Sequence, residues 1–210
     1  MNDRIAAEDR ARSYFATLAG MYAATEATDA AGAAMTAGSA IDWMIGAARA
    51  AHQAGNKIMF IGNGGSAAIA SHMATDYAKN GGLRATAFND GAALTCLTND
   101  LGFDAVFRHQ IEMHARPGDL LVAISSSGRS ANILAGVDAA RARDCRVATL
   151  SGFDPDNPLR GSGDVNFYVP SHEYGFVEIT HLSLCHAVLD LAMGWSAAAP
   201  DDATDLAVAS

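Results

Sequence analysis

His72 and Asp76 stand four residues apart in ASHMATDYAKN (70–80), a stretch of helical character. Residues at i and i+4 are neighbours on one helix face, so an imidazole and a carboxylate are placed there to exchange a proton or share a metal ion. Taken alone, such a pair is more simply a surface hydrogen bond. A second polar set shifts that balance: Glu178, His181 and His186 fall in EITHLSLCH (178–186), an otherwise apolar segment. Buried Glu and His need partners. Two helices that each supply a carboxylate and an imidazole make a plausible tetrahedral metal site. His181 also has the plainer reading of a satisfied core histidine.

Two segments suit an anion. Ile58–Ile61 reads as a short apolar strand and runs into Gly62-Asn63-Gly64-Gly65-Ser66, after which a helix begins. Glycines there let the backbone approach a ligand, and the helix N-terminus favours negative charge. The turn is neither GxGxxG nor a Walker sequence, since no lysine follows the glycines, and this disfavours dinucleotides and nucleoside triphosphates. A plain tight turn is the alternative. Ser125-Ser126-Ser127-Gly128-Arg129-Ser130 sets four hydroxyls around a strand end and a helix start. N-capping by one serine accounts for one hydroxyl and leaves three free to surround a phosphate.

The elements that position these residues alternate. Residues 4–52 read as two amphipathic helices with a break between Thr28 and Gly38; the pair is placed to cover its own sheet or a partner subunit. Past the first strand and helix, Arg84–Phe88 and Ala92–Leu97 read as strands joined by an Asn89-Asp90-Gly91 turn. Thr98-Asn99-Asp100 then starts a helix with Phe103, Val106, Phe107 and Ile111. Asp119–Ser125 reads as a strand buried on both faces. A helix to about Arg143, strands Arg146–Leu150 and Val165–Val169, and a final helix Glu173–Trp195 follow. This alternation predicts an α/β fold with a largely parallel sheet and helices on both faces.

A length of 210 residues suits one domain, expected over residues 1–195 with its N-terminal helices in 1–54, followed by a flexible tail in 196–210. The formal net charge of −9 argues against a nucleic-acid or anionic-membrane surface. Three scattered cysteines, Cys96, Cys145 and Cys185, fit a reduced, cytoplasmic chain and read as small core residues. The N-terminus has no signal-peptide character, and no run approaches the ~20 apolar residues of a membrane span. His52, His109, His114 and His172 have no motif around them.

GNGGS with His72 six residues beyond its serine, TNDLGFDAVFRHQ (98–110), AISSSGRSAN (123–132) and VEITHLSLCHAVLD (177–190) occur in the order found in the sugar isomerase (SIS) domain family, which the chain resembles over most of its length. The resemblance implies a three-layer, flavodoxin-like sandwich on a five-stranded parallel sheet, and a homotetramer with sites at subunit interfaces. It implies an aldose–ketose isomerase of a ketose 7-phosphate, with sedoheptulose 7-phosphate as the expected substrate. Phosphate would sit on Ser125, Ser126, Ser127 and Ser130, with Asn63, Gly64, Ser66 and Asp100 contacting substrate. Proton transfers through an enediolate would fall to Asp76 and His186. The family's zinc site maps to His72, Asp76, Glu178 and His186.

Two positions depart from the family. Asp76 replaces a glutamate, setting its carboxylate back by about one C–C bond, ~1.5 Å. Glu178 replaces a glutamine and adds negative charge beside a metal. The competing expectation is a non-catalytic SIS-domain protein, a replication-initiator-associated factor or a sugar-phosphate sensor, which needs the two loops and no acid/base pair.

Overall fold

The structure, a computed structural model, describes residues 2–197. It builds α1 (Asn2–Ala24), β1 (Glu26–Asp29), β2 (Ala34–Met35), α2 (Ala37–Gln53), β3 (Ile58–Gly62), α3 (Gly65–Lys79), β4 (Ala85–Ala87), α4 (Gly91–Leu101), α5 (Val106–His114), β5 (Leu120–Ser125), α6 (Ala131–Ala142), β6 (Arg146–Gly152), β7 (Val165–Val169) and α7 (Tyr174–Ala192). All but two residues of the expected tail lie outside the described residues.

The sheet order is β2-β1-β7-β6-β5-β3-β4. Its five strands from β7 to β4 are parallel, as expected; β1 and β2 add an antiparallel hairpin beyond β7. Strand alternation divides the core in two. Ile58 and Phe60 of β3 join Val122 and Ile124 of β5 under Met44 of α2, Met73 and Tyr77 of α3, and Val188 of α7. Met59 and Ile61 face the opposite way with Leu121 and Ala123, against Phe107 and Ile111 of α5 and Ile133 and Val137 of α6. Every residue of β3, β5 and β7 is buried, the signature of strands covered on both faces.

The hairpin corrects the expectation of helix alone across residues 4–52. Glu26–Asp29 is short and has little apolar character, but β7 offers it a ladder, and Ala27 is buried once paired. Asp29 closes the turn by accepting from the N–H groups of Ala31 and Ala33, both at 2.9 Å, and Gly32 takes φ +78°. Asn166 locks the join from inside β7: its Oδ1 accepts from Thr149 Oγ1 at 2.7 Å and its Nδ2 donates to the Thr28 and Asp29 carbonyls.

Ala92–Leu97 is helix rather than strand. Asp90, read as part of a turn between strands, is the N-cap of α4, accepting from Ala93 N at 2.9 Å. Alanine and leucine then propagate the helix, so Thr98-Asn99-Asp100 sits near the end of α4 instead of at a helix start. The N-terminal helices divide their tasks. Helix α2 buries Ala40, Met44, Ala47, Ala48 and Ala51 against its own sheet. From residue 7 onward α1 is largely exposed, with Tyr14, Phe15 and Tyr22 facing solvent.

Two smaller expectations also change. Cys145 and Cys185 are buried, whereas Cys96 is exposed on α4, a helix that buries none of its residues among those described. Among the described residues α7 is long and apolar enough, by length and composition alone, to cross a membrane. Val177, Leu184, Val188 and Leu189 are instead buried in the domain, which is why its sequence is so apolar.

Candidate functional site

The serine run leaves β5 with Ser125 and Ser126 buried and turns sharply at Gly128, whose φ is +62° and whose N–H donates to Ser125 O at 3.0 Å. Ser130 occupies the N-cap of α6 without capping it; its Oγ lies 3.2 Å from Ser125 Oγ. Capping therefore does not consume the hydroxyl. Ser126 Oγ is buried with no hydrogen-bond partner among the described residues, a costly state unless something else occupies the space before it.

Opposite this loop, β3 ends at Gly62 and α3 begins after Gly64, a residue at φ +54° that supplies no side-chain cap. Two uncapped helix N-termini thus meet across a cavity of about 240 Å³ lined by Asn63, Gly64, Gly65, Ser66, Ser125, Ser126, Ser127, Ser130, Tyr174 and Glu178. A reciprocal amide pair, Asn63 with Asn132, both bonds at 2.9 Å, fastens one loop to the other. Free N–H groups, helix dipoles and hydroxyls together suit a phosphate.

Among the described residues, no lysine or arginine lines the cavity. Arg129 turns away, to Asp156 at 2.7 Å and Asp154 at 3.6 Å. The cavity's charged side chain is Glu178, whose carboxylate lies against the backbone of Gly65, so close that a Cβ there would meet Oε2 at about 2.3 Å.

The second constellation lies farther along α3 and α7. His72 Nε2 is 3.3 Å from His186 Nε2 and 3.4 Å from Asp76 Oδ2. One ligand atom from each of the three residues lies within 4.8 Å of the others. Two ring nitrogens facing one another beside a carboxylate hold either a shared proton or a cation, and a nitrogen-rich set of this kind fits a transition metal.

Of the residues singled out from the sequence, the structure gathers Asn63, Gly64, Ser66 and the four serines into the cavity, and His72, Asp76 and His186 into the second group. Two fall elsewhere. Glu178 belongs to the cavity, because eight residues separate it from His186 and that is ~12 Å of helix. Asp100 is exposed near the end of α4, bonded to Asn99 Nδ2 at 2.7 Å and outside the cavity lining. Its motif was expected to open a helix, and capping by Asp90 moved it to the other end.

Tyr174, Asn132 and Asn157 escaped the sequence reading. Tyr174 opens α7 one turn before Glu178 and lines the cavity on the same face. Asn157 is buried and donates to Ser151 Oγ, Gly152 O and Asp154 O, and its Oδ1 sits where a Cβ on Gly128 would fall. Asn132 closes the AISSSGRSAN motif and was legible there as a polar residue; Asn157 lies in a loop rich in Asn and Asp and carried no signal.

His181 is a core histidine. It is fully buried, its Nε2–H donates to Ser151 O at 3.0 Å, and Nδ1 has no partner among the described residues. Burial pushes its pKa down from 6.5 to about 4, the hydrogen bond opposing this only in part. The folded chain therefore resists a proton that the unfolded chain accepts. Stability is complete above pH 6.5 and falls as pH drops from there towards about 4. Relative to a His181→Gln variant, urea unfolding of the wild type should show an extra loss of about 2 kcal/mol between pH 7 and pH 5.

Comparison with known proteins agrees with this architecture. Residues 31–152 match the SIS domain family model. Phosphoheptose isomerase of Pelobacter propionicus is 39% identical over 147 residues, covering 67% of this chain and 77% of that protein. The Yersinia pestis (strain Pestoides F) phosphoheptose isomerase is 38% identical over 145 residues, covering 66% and 75%. The solved phosphoheptose isomerase from Neisseria gonorrhoeae superposes with a TM-score of 0.76 at 32% identity, covering 88% of this chain and 98% of that one. That of Francisella tularensis gives a TM-score of 0.76 at 26% identity, covering 89% and 97%. The chain belongs to the SIS domain family.

Proposed function

We propose that this chain is a sugar-phosphate aldose–ketose isomerase that converts sedoheptulose 7-phosphate to D-glycero-D-manno-heptose 7-phosphate. The observation that carries the reading is the Ser126 hydroxyl, unpartnered among the described residues, in a cavity where the uncapped N-termini of α3 and α6 meet, with a His/Asp/His group farther along α3 and α7. Phosphoheptose isomerase relatives at 38–39% identity supply the substrate class.

In this reading the serine hydroxyls and N–H groups anchor the phosphate. Isomerisation moves a proton between adjacent carbons through an enediolate, which needs a group that takes the proton from one carbon and returns it to the next. Asp76 and His186 fill that role. Fixed dipoles and hydrogen-bond donors near the oxyanion lower the barrier further.

His72, Asp76 and His186 suit zinc, and when bound the ion would polarise a substrate oxygen as a Lewis acid. Glu178, ~12 Å away along α7, completes the set only from a neighbouring copy. That fits a homotetramer with sites at subunit interfaces. Exposed Tyr14, Phe15 and Tyr22 on α1, and Ile179, Leu191 and Trp195 on or beyond α7, form the apolar surface such an assembly would cover. Residues 1–195 act as one unit.

Purified protein should turn over sedoheptulose 7-phosphate faster than C5 or C6 ketose phosphates and carry close to stoichiometric zinc by elemental analysis. Absence of turnover with every C5 to C7 ketose phosphate would overturn the isomerase reading, and sugar-phosphate binding without turnover would favour the sensor.

A further inference from the structure

The amino ends of the parallel strands, across the sheet from the serine cavity, carry a second concave site. Ile58 N donates to Arg84 O at 2.7 Å and Leu120 N to Lys57 O at 3.0 Å, so Arg84, Lys57 and Asp119 stand side by side where β4, β3 and β5 begin. With His114 and Arg116 from the turn before β5, they line a cavity of about 420 Å³. That volume lies within the ~300–1,000 Å³ usual for small-molecule sites and exceeds the serine cavity.

Its charge is lopsided. Asp119 is fully buried and saturated from within: Lys57 Nζ at 2.6 Å, Lys57 N at 2.9 Å and Arg116 N at 2.8 Å. Lys57 and Asp119 neutralise one another, leaving Arg84 and Arg116, neither of which pairs with a carboxylate among the described residues. Two arginines that line one cavity without a carboxylate partner among the described residues are notable in a chain of net charge −9, where chance favours acidic neighbours.

The walls are pinned. Asn56 Nδ2 donates to Pro117 O at 2.9 Å, and Arg84 N donates to His52 Nδ1 at 3.2 Å. Gly118, at φ +86°, lets Asn56 pack where a Cβ would collide with Nδ2 at 2.6 Å. A buried carboxylate that fixes a lysine and the turn carrying Arg116 is a prebuilt support of the kind binding sites use.

We propose that this cavity binds a phosphomonoester, its phosphate between Arg84 and Arg116 and its body over Asn56 and Thr86. Guanidinium forks match phosphate oxygens in pairs, and the cavity is larger than a free phosphate requires. Ligands of doubly wound sheets ordinarily bind at the carboxyl ends of the strands, so this is a site separate from the serine cavity and from the isomerase reaction.

The test is isothermal titration of the full-length Ser126→Ala/Ser130→Ala protein, in which the serine cavity is disabled, with glucose 6-phosphate, AMP and inorganic phosphate. The expected result is one residual site per chain for a sugar or nucleotide ester, weakened roughly tenfold or more by adding Arg84→Gln and Arg116→Gln. The two arginine substitutions in the otherwise wild-type chain should leave isomerase turnover unchanged. Residual binding indifferent to the arginines, absence of residual binding, or equal affinity for inorganic phosphate would each overturn the proposal. Preference for AMP over glucose 6-phosphate, or the reverse, identifies the ester's source.

Discussion

Replacing His186 with alanine is expected to lower isomerase turnover by ~10²–10⁴-fold while the chain stays folded. His186 is only half-buried, and its ring faces His72 at 3.3 Å without anchoring the core. Asp76→Asn keeps the side-chain shape and removes the proton acceptor, so a comparable fall is expected. Asp76→Glu extends the carboxylate by ~1.5 Å and should retain activity better than either. Because Asp76 and His186 also belong to the candidate metal group, zinc content must be measured on each variant. Turnover that falls while zinc stays bound assigns a direct proton-transfer role, whereas loss of both assigns ligation. Undiminished turnover in both His186→Ala and Asp76→Asn would sink the catalytic assignment.

The second large effect falls on the turn between β3 and α3. A Cβ on Gly62 would lie 2.4 Å from Ser66 O and 2.5 Å from Ser66 C, both backbone atoms of the first turn of α3. No rotamer relieves such a clash, and Gly62 is held in register with Ile124 of β5. Gly62→Ala is therefore expected to cost about 3 kcal/mol and to displace Ser66 from the cavity. Gly46 of α2 has nothing within 4 Å of a would-be Cβ, so Gly46→Ala should be neutral or stabilising by about 0.5–1 kcal/mol. Urea unfolding of the two variants compares them directly. Equal stabilities would mean that β3 and α3 do not pack as described.

Much of this protein is readable without coordinates, and the legible parts share a cause. The parallel strands β3, β5, β6 and β7 announce themselves because strands covered on both faces are largely apolar, the buried Thr149, Ser151 and Asn166 being the exceptions in β6 and β7. The glycine turn and the serine run are equally visible, since a strand-to-helix connection that presents N–H groups and hydroxyls needs those residue types in that order. Local chemistry suffices there.

The misread parts depend on distant partners. Glu26–Asp29 becomes a strand because β7 offers an edge to pair with, and nothing in its own four residues requires that. Ala92–Leu97 fits either period, and the outcome turned on Asp90 accepting a single N–H bond. His181 and Glu178 lie three residues apart on α7, yet one is sealed in the core against Ser151 and the other opens on the serine cavity. The sequence by itself determined which loops offer the glycines, hydroxyls and helix starts that suit an anion, and which side chains have the acid/base chemistry assigned to them in the proposed function. Only the tertiary structure decided that Glu178 sits with the serines while His186 meets His72, because the rise of α7 separates two residues that their shared chemistry had joined.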